Sequence, residues 1–412
     1  MRKREFLIVR KFIPLILLFN LLSCSATVTN NKLNIVNQSI VTPSITLNNE
    51  QIIDFKVKNK LASLSLEEKV GQLFITTPNE LVSDSIYTNT DKLEDFLTLY
   101  PVGGLIYFSS NIIDPIQTET MVKDGQKIAT EQNSIPLFMA LDEEGGRVSR
   151  IANNPNFDVK KYSSMQEIGS NGNLDLASEV GDTIATYLKE YGFNLDLAPV
   201  ADILSNENNL VIGDRSFSSN PDLVSEMSNS FASALIEGRV IPCFKHFPGH
   251  GSTVEDSHDG LAYNYKSLEE LKETDFIPFI AASQNEMPMI MVAHIALPSI
   301  TDSKIPASLS KEVVTGILKE DLKYQGLIIT DSLAMNAITD NYSISEASIL
   351  ALEAGVDIIL IADSKDTSEE NNFKNAYQAV IDAVENGELD ISIVDQAVSK
   401  ILKIKYEYLV TI

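Results

Sequence analysis

The sequence contains few of the residues on which some protein classes depend, and each shortage narrows its interpretation. It has two cysteines in 412 residues, and only Cys243 lies beyond position 24. Because one cysteine cannot form an internal disulfide, the fold must rely on its hydrophobic core. Cys243 lies in an apolar run, so we predict a small buried hydrophobe rather than a nucleophile. No glycine-rich phosphate-binding fingerprint follows any apolar run, which disfavours a dinucleotide-binding sheet.

Positive charge is also scarce. The chain has 32 Lys and Arg against 57 Asp and Glu, which gives a formal net charge of -25. An acidic surface repels a phosphate backbone, so we predict that the chain does not bind nucleic acid. The same balance argues against a polybasic patch for membrane binding.

The one concentration of basic residues lies at the start of the chain. Residues 2–11 include five Lys or Arg and precede an apolar run, Phe12–Leu22, that is too short to span a bilayer. The run ends in Leu-Leu-Ser-Cys, which resembles a bacterial lipobox. We therefore expect residues 1–23 to be a lipoprotein signal peptide. Cys24 would then carry a lipid that anchors the protein to a membrane, facing the periplasm or cell exterior. The alternative is an ordinary cleaved signal with an incidental cysteine.

Residues 24–50 are rich in Ser, Thr and Asn and predict a flexible tether, whereas residues 51–412 predict a single domain. Eight short apolar runs recur within that domain: Leu73–Thr76, Gly104–Phe108, Leu137–Leu141, Phe193–Leu197, Ile241–Phe244, Met289–Ala293, Leu327–Thr330 and Val356–Ile361. They are almost continuously apolar, as in parallel strands that are buried on both faces. Because amphipathic stretches fill most gaps, the pattern predicts an α/β fold, specifically a (β/α)8 TIM barrel. A doubly wound open sheet is the alternative.

Helix signals support this alternation. Ser65 and Glu68 form a capping-box pattern at the start of the first predicted helix of the domain. Further helices are predicted at Leu176–Tyr191, Leu223–Glu237, Leu268–Gln284, Lys311–Leu322 and Ile393–Tyr408. Their apolar positions recur at helical spacing, so each is expected to pack one face against the rest of the domain.

Polar side chains gather at the ends of the predicted strands. They are Asp142 to Arg147, Asp196, Asp202, Lys245, His246, His294 and Asp331. In barrels the strand ends and the loops after them build the active site. A single Asp after a strand is often a helix cap, but caps do not explain polar residues after five strands. We therefore predict a functional site at this edge.

All four histidines fall within residues 246–294, which also favours a site there. His246 and His250 are four residues apart, as in zinc-binding helices. A proline and two glycines interrupt that stretch, and it lacks the His-Glu-x-x-His pattern. We predict no metal ion and no cofactor.

Several motifs carry a resemblance to a known family. Residues 245–251 read Lys-His-Phe-Pro-Gly-His-Gly, and Thr253 and an Asp-Ser-His triplet at 256–258 follow. This stretch resembles the signature of glycoside hydrolase family 3 and is closest to its β-N-acetylhexosaminidase branch. Four further segments are similar: Asp142–Arg150, Val211–Phe217, Pro306–Ser310 and Thr330–Met335. The resemblance extends from about Leu66 to the C-terminus.

The resemblance implies a role for each matching residue. Asp331 matches the family nucleophile, and His258 matches the general acid/base of this branch, with Asp256 as its partner. The residues implied to bind the sugar in the −1 subsite are Asp142, Arg150, Arg215, Lys245 and His246. A histidine as acid/base departs from the usual pair of carboxyl groups in retaining glycosidases, but it is readily half-protonated near neutral pH.

The activity that the resemblance implies is that of an exo-acting retaining β-N-acetylglucosaminidase. It would remove terminal N-acetylglucosamine from cell-wall fragments or related glycans through a covalent glycosyl-enzyme intermediate. The lack of tryptophan fits exo-action, since extended glycan clefts commonly use aromatic platforms. We expect Lys245 and Arg215 to lower the pKa of Asp331. The alternatives are a β-glucosidase or glycoside phosphorylase of the same family, and a catalytically inactive, lipid-anchored sugar-binding protein.

Overall fold

The computed structural model describes residues 48–78, 90–253, 260–301, 304–362 and 371–410. Residues 47–412 form one compact unit. The expected signal peptide, Cys24 and nearly all of the expected tether lie outside the described residues. Among the described helices, none has both the length and the apolar character that crossing a membrane requires.

The described residues contain thirteen short strands, and every predicted apolar run overlaps at least one of them. In chain order they are β1 (Phe74–Thr76), β2 (Gly104–Ile106), β3 (Phe138–Leu141), β4 (Glu143–Gly145), β5 (Val148–Ser149), β6 (Leu195–Asp196), β7 (Ile241–Pro242), β8 (Phe244–Phe247), β9 (Ala262–Tyr263), β10 (Met289–Val292), β11 (Ile295–Ala296), β12 (Leu327–Thr330) and β13 (Ile359–Ile361). One predicted run is divided at Cys243 into β7 and β8. The hairpin β4–β5 and the pair β9–β11 were not predicted.

Two parallel sheets contain the predicted strands. The first has the order β13-β1-β2-β3-β6-β7, and the second has the order β12-β10-β8. Backbone hydrogen bonds also connect strands of the second sheet to segments that adjoin strands of the first. Lys245 N on β8 donates to Pro199 O, three residues after β6, at 3.1 Å, and Thr330 N on β12 donates to Ile358 O, directly before β13, at 3.0 Å. The predicted α/β fold with parallel strands is therefore confirmed, and the carboxyl ends of neighbouring strands lie at one edge.

Helices occupy the gaps between the strands. They are α1 (Asn49–Ser63), α2 (Leu66–Gln72), α3 (Thr90–Leu99), α4 (Pro115–Asn133), α5 (Met165–Ser170), α6 (Leu174–Glu190), α7 (Pro221–Glu237), α8 (Leu268–Glu273), α9 (Ile277–Gln284), α10 (Pro298–Thr301), α11 (Asn336–Thr339), α12 (Ile344–Ala354), α13 (Asn372–Glu385) and α14 (Ile391–Tyr408), with a π-helix at Glu312–Asp321. Ser65 and Glu68 form the predicted capping box at the start of α2.

One predicted helix is broken in the structure. The single helix expected over Leu268–Gln284 is divided into α8 and α9, because Thr274 leaves the helical region with φ −136° and ψ −95°. Pro278 lies at the start of α9, where its missing N–H costs no helical hydrogen bond. Helical spacing of apolar residues continues across the break, so periodicity alone did not reveal it.

The core surrounds the strands, whose apolar side chains are buried on both faces. Cys243 is fully buried among them, and burial raises the pKa of its thiol well above the ordinary range. The prediction that Cys243 is a buried hydrophobe is therefore confirmed. Its position between β7 and β8 places it two residues before Lys245, one of the polar residues predicted at the functional site.

Candidate active site

The first element of the site is the segment that follows β3. Asp142 comes directly after the strand, and the hairpin β4–β5 then brings Arg150 back beside it. Arg150 Nη2 donates to Asp142 Oδ2 at 2.8 Å, and the guanidinium lies over the ring of Phe108 at 5.6 Å. This places an acid and a planar cation side by side at the strand end, which suits the binding of sugar hydroxyls.

Glu143 anchors the segment that follows this hairpin. Its carboxylate accepts hydrogen bonds from the backbone N–H groups of Ile151 and Ala152 at 2.9 Å, and from the Tyr187 hydroxyl at 2.8 Å. Because the side chain is fully buried, burial raises its pKa although these donors oppose the rise. Glu143 therefore supports the position of Arg150 and does not face the site as Asp142 does.

A second strand contributes the central cation. Lys245 on β8 is 2% exposed, and its Nζ lies 2.7 Å from Asp142 Oδ1 and 2.6 Å from Glu144 Oε1. Arg215 joins the same group, because its Nε and Nη2 both donate to the Glu144 carboxylate at 2.7 Å. Together with Arg150 there are three cations and two carboxylates, so the cluster carries one net positive charge.

The electrostatics of the cluster keep both carboxylates ionised. Burial alone would raise the pKa of Asp142, but Lys245 and Arg150 hold it well below its usual range. Burial likewise opposes ionisation of Glu144, and Arg215 and Lys245 nevertheless lower its pKa to about 2. The same contacts raise the pKa of Lys245 against the effect of burial. The cluster is thus charged at any physiological pH.

The predicted histidine motif is organised by Asp202. Its Oδ2 accepts from the backbone N of His246 at 3.1 Å and lies 2.6 Å from Nδ1 of the same ring. Its Oδ1 accepts from the backbone N of His250 at 2.5 Å. With Nδ1 facing a carboxylate, His246 presents Nε2 to the cluster, 3.5 Å from Arg215 Nη2.

His250 lies further along the same segment. Its ring Nδ1 is 2.9 Å from the Thr253 hydroxyl, and burial, followed by the nearby charge of His246, lowers its pKa. These local contacts agree with a role in loop structure. Among the residues that the structure describes, no group of three or more His, Cys, Asp or Glu side chains is arranged to hold a metal ion.

The predicted nucleophile follows β12, two strands away from Lys245 in the sheet order β12-β10-β8. Asp331 is half-buried, and its backbone N donates to Val292 O at 2.9 Å on the adjacent β10. Its Oδ1 accepts from the backbone N of Ser332 at 2.8 Å. The predicted acid/base His258 and its partner Asp256 lie outside the described residues.

The structure therefore brings together all five residues predicted to bind the sugar, and it adds groups that the sequence interpretation did not assign. Glu144 links Lys245 to Arg215, and Asp202 orients His246. Lys245 and Arg215, which we expected to act on Asp331, form ion pairs with Asp142 and Glu144. The signal for Glu144 was its place in the acidic run after β3.

Asp196 has a different place from the one that its position after a strand suggested. It is fully buried at the end of β6, and its Oδ1 accepts from Glu143 N at 2.9 Å. Burial raises its pKa well above the ordinary range. Asp196 therefore anchors the first residue of the hairpin β4–β5 through this hydrogen bond to Glu143.

Comparison with known proteins places this geometry in a family. Residues 65–404 match the glycosyl hydrolase family 3 N-terminal domain. The chain is 32% identical over 331 residues to β-hexosaminidase A of Pseudoalteromonas piscicida, covering 76% of this chain but 55% of that protein. It is 31% identical over 356 residues to β-hexosaminidase LpqI of Mycobacterium tuberculosis, covering 84% of each.

Solved structures agree with this assignment. A family 3 β-N-acetylglucosaminidase from a Paenibacillus species superposes with a TM-score of 0.78 at 33% identity, over 85% of this chain and 64% of that one. The chain thus spans little more than half the length of some of its relatives and most of the length of others. With a family match over most of its residues and with these relatives, the chain belongs to glycosyl hydrolase family 3.

Proposed function

We propose that this protein is an exo-acting retaining β-N-acetylglucosaminidase. The observation that supports it most is the cluster of Asp142, Glu144, Lys245, Arg150 and Arg215 at the strand ends. Its Lys245 lies on β8, which shares a sheet with β12, the strand that Asp331 follows. The β-hexosaminidase names of relatives at 31–34% identity support the choice of sugar. Release of terminal N-acetylglucosamine from cell-wall fragments or related glycans would be the biological reaction.

The cluster suits a neutral sugar rich in hydroxyl groups. Asp142 accepts and Arg150 donates, so the pair can hold two neighbouring hydroxyls, which we assign to O4 and O6. Lys245 and His246 approach from β8 on the other side. These groups are already paired with one another, so they are held in position before the substrate arrives and little ordering entropy is lost on binding.

The chemistry assigned to the site has two steps. Asp331 attacks the anomeric carbon, the glycosidic bond breaks, and the leaving oxygen takes a proton from His258. His258 then removes a proton from water, which attacks the same carbon and releases Asp331. Asp256 would orient His258 and stabilise its imidazolium form.

We also propose that the strands close into a (β/α)8 barrel. The two sheets supply eight strand positions in the order β13, β1, β2, β3, β6, β7 with β8, β10 and β12. A bridge between Val200 and Lys245 supports continuity on one side, and a bridge between Ile329 and Ile358 supports the return of β12 to β13. Closure would bring Asp331 and Asp142 to opposite sides of one strand-end mouth.

The location of the enzyme is proposed from the sequence. The basic start, the short apolar run and the Leu-Leu-Ser-Cys motif support a signal peptide and a lipid on Cys24. Such a protein would act at a membrane that faces the periplasm or cell exterior, where peptidoglycan fragments are present. Metabolic labelling with a palmitate analogue tests this: wild type should be labelled and Cys24→Ser should not, and equal labelling of both would contradict the anchor.

The test of the activity follows release of 4-nitrophenol from its β-N-acetylglucosaminide and its β-glucoside, with and without phosphate. We expect release from the N-acetyl sugar only, with no acceleration by phosphate. Asp331→Asn should lower kcat by at least about a thousandfold with the fold intact. Asp340→Asn, which alters an exposed carboxylate nine residues later, is the matched control. A preference for glucose, acceleration by phosphate, or stoichiometric sugar binding without turnover would each overturn the proposal.

A further inference from the structure

A buried histidine that the proposed chemistry does not use lies beside the predicted nucleophile. His294 follows β10 and is fully buried. Its Nε2 lies 2.9 Å from Ser332 O, and its Nδ1 lies 2.7 Å from the Ser308 hydroxyl. A carbonyl can only accept, so Nε2 carries the proton, and in the neutral ring Nδ1 accepts from Ser308. The Ser332 carbonyl therefore selects the tautomer, and the Ser308 hydroxyl holds the other ring nitrogen.

The contact reaches the nucleophile through one residue. The Ser332 carbonyl oxygen accepts a hydrogen bond from His294 Nε2, while the Ser332 N–H donates to Asp331 Oδ1 at 2.8 Å. Asp331 N in turn donates to Val292 O, two residues before His294. The nucleophile is thus held by the main chain and by a side chain of the same neighbouring strand segment.

A further pair of bonds holds Ser332 from the other side. Its hydroxyl donates to Ala362 O at 2.8 Å and accepts from Ala362 N at 3.1 Å, just after β13. Ser332 is therefore held between the segments that follow β10 and β13.

We propose that His294 is a positioning residue for Asp331, and that Ser308 holds the His294 ring in place through its other nitrogen. The proposal rests on the proposed function, since it concerns the attacking carboxylate of a retaining glycosidase. A displacement of about 1 Å at a reacting group can cost about a hundredfold in rate. The residues assigned to the sugar lie on β8, after β3 and between β6 and β7, so loss of His294 should affect the chemical steps and leave substrate affinity nearly unchanged.

Two substitutions of His294 distinguish an effect on the position of Asp331 from a loss of protein stability. His294→Asn lacks a donor that reaches Ser332, whereas His294→Gln places an amide N–H near the position of Nε2. On 4-nitrophenyl β-N-acetylglucosaminide we expect His294→Asn to lower kcat by about tenfold to a hundredfold with KM within about twofold, and His294→Gln to restore part of the loss. Urea unfolding of each variant establishes the folded fraction.

Ser308→Ala keeps the histidine and removes its partner, and we expect a smaller loss of kcat, about threefold to tenfold. The matched control is Ser348→Ala. Ser348 is also fully buried, but its hydroxyl donates to Ile344 O within α12, so its loss should lower stability without changing kcat. If His294→Asn does not fold, a lower kcat for Ser308→Ala than for Ser348→Ala still supports the proposal, and equal kcat values overturn it.

The outcomes also distinguish this proposal from the one on which it rests. If the wild type is inactive on every glycoside, both fail. If the wild type is active and Asp331→Asn is inactive, but folded His294→Asn keeps its kcat within about twofold, the glycosidase assignment stands. His294 would then have only a structural role, and the proposal would be wrong.

Discussion

Glu144 is expected to stabilise the folded protein and not merely to line the site. Its carboxylate is 1% exposed and bonds to two cations, Lys245 through Nζ and Arg215 through Nε and Nη2. Glu144→Gln keeps the shape of the side chain and removes its charge. Asp142 would then be left as the one carboxylate of the cluster, against three cations.

The magnitude follows from the pKa. Arg215 and Lys245 lower the pKa of Glu144 from 4.5 to about 2 in spite of burial. Each pKa unit corresponds to about 1.4 kcal/mol, so the ion pairs contribute about 3 kcal/mol to stability at neutral pH. Breaking a buried pair typically costs about 3–5 kcal/mol. We therefore expect Glu144→Gln to lower the free energy of unfolding by about 3 kcal/mol at pH 7.

The effect should depend on pH in a defined direction. The folded pKa of Glu144 is depressed, so its contribution is fully present above its unfolded value of 4.5 and is lost as the pH falls through about 2. The difference in stability between wild type and Glu144→Gln should therefore shrink between those two values. Urea unfolding at several pH values measures it, with kcat/KM expected to fall about tenfold at pH 7.

Glu119→Gln is the control for this measurement. Glu119 forms an exposed pair with Lys123 at 2.6 Å, four residues apart on α4, and its loss should cost less than about 0.5 kcal/mol. If Glu144→Gln were destabilised by no more than Glu119→Gln, or if its deficit did not change with pH, the assignment of a stabilising buried charge cluster would be refuted.

Three further predictions follow from the site. Asp202→Asn should lower the free energy of unfolding in urea by about 2 kcal/mol and should also lower kcat/KM. In either orientation of the new amide, its NH₂ group faces a backbone N–H, that of His246 or that of His250, and neither can accept a hydrogen bond. An unchanged urea midpoint would contradict this prediction. Gly251→Ala should cost about 1–3 kcal/mol, because the added Cβ would lie 2.1 Å from Ile203 O, whereas Gly260→Ala meets nothing within 4 Å and should be neutral. His258→Ala should slow substrates with poor leaving groups most, and an equal loss on 4-nitrophenyl and alkyl glycosides would count against its role as the acid.

The sequence predicted most of what depends on local pattern. All eight apolar runs contain strands, and the capping box at Ser65 begins a helix as expected. The five residues expected to bind the sugar also meet at one edge. The break between α8 and α9 was not predicted, because a helical period of apolar residues does not report where the backbone leaves the helix.

The sequence by itself determined the α/β class, the strand ends at which polar residues gather and, through its motifs, the family. These features rest on hydrophobic periodicity and on short segments, which neighbouring residues encode. Only the tertiary structure decided the electrostatics of the site. Arg215 meets Glu144 across 71 residues, and Lys245 meets Asp142 across 103, so no local pattern could assign those partners. The adjacent carboxyls Glu143 and Glu144 have opposite environments for the same reason: one is held by neutral donors beneath the hairpin, and the other lies between two buried cations.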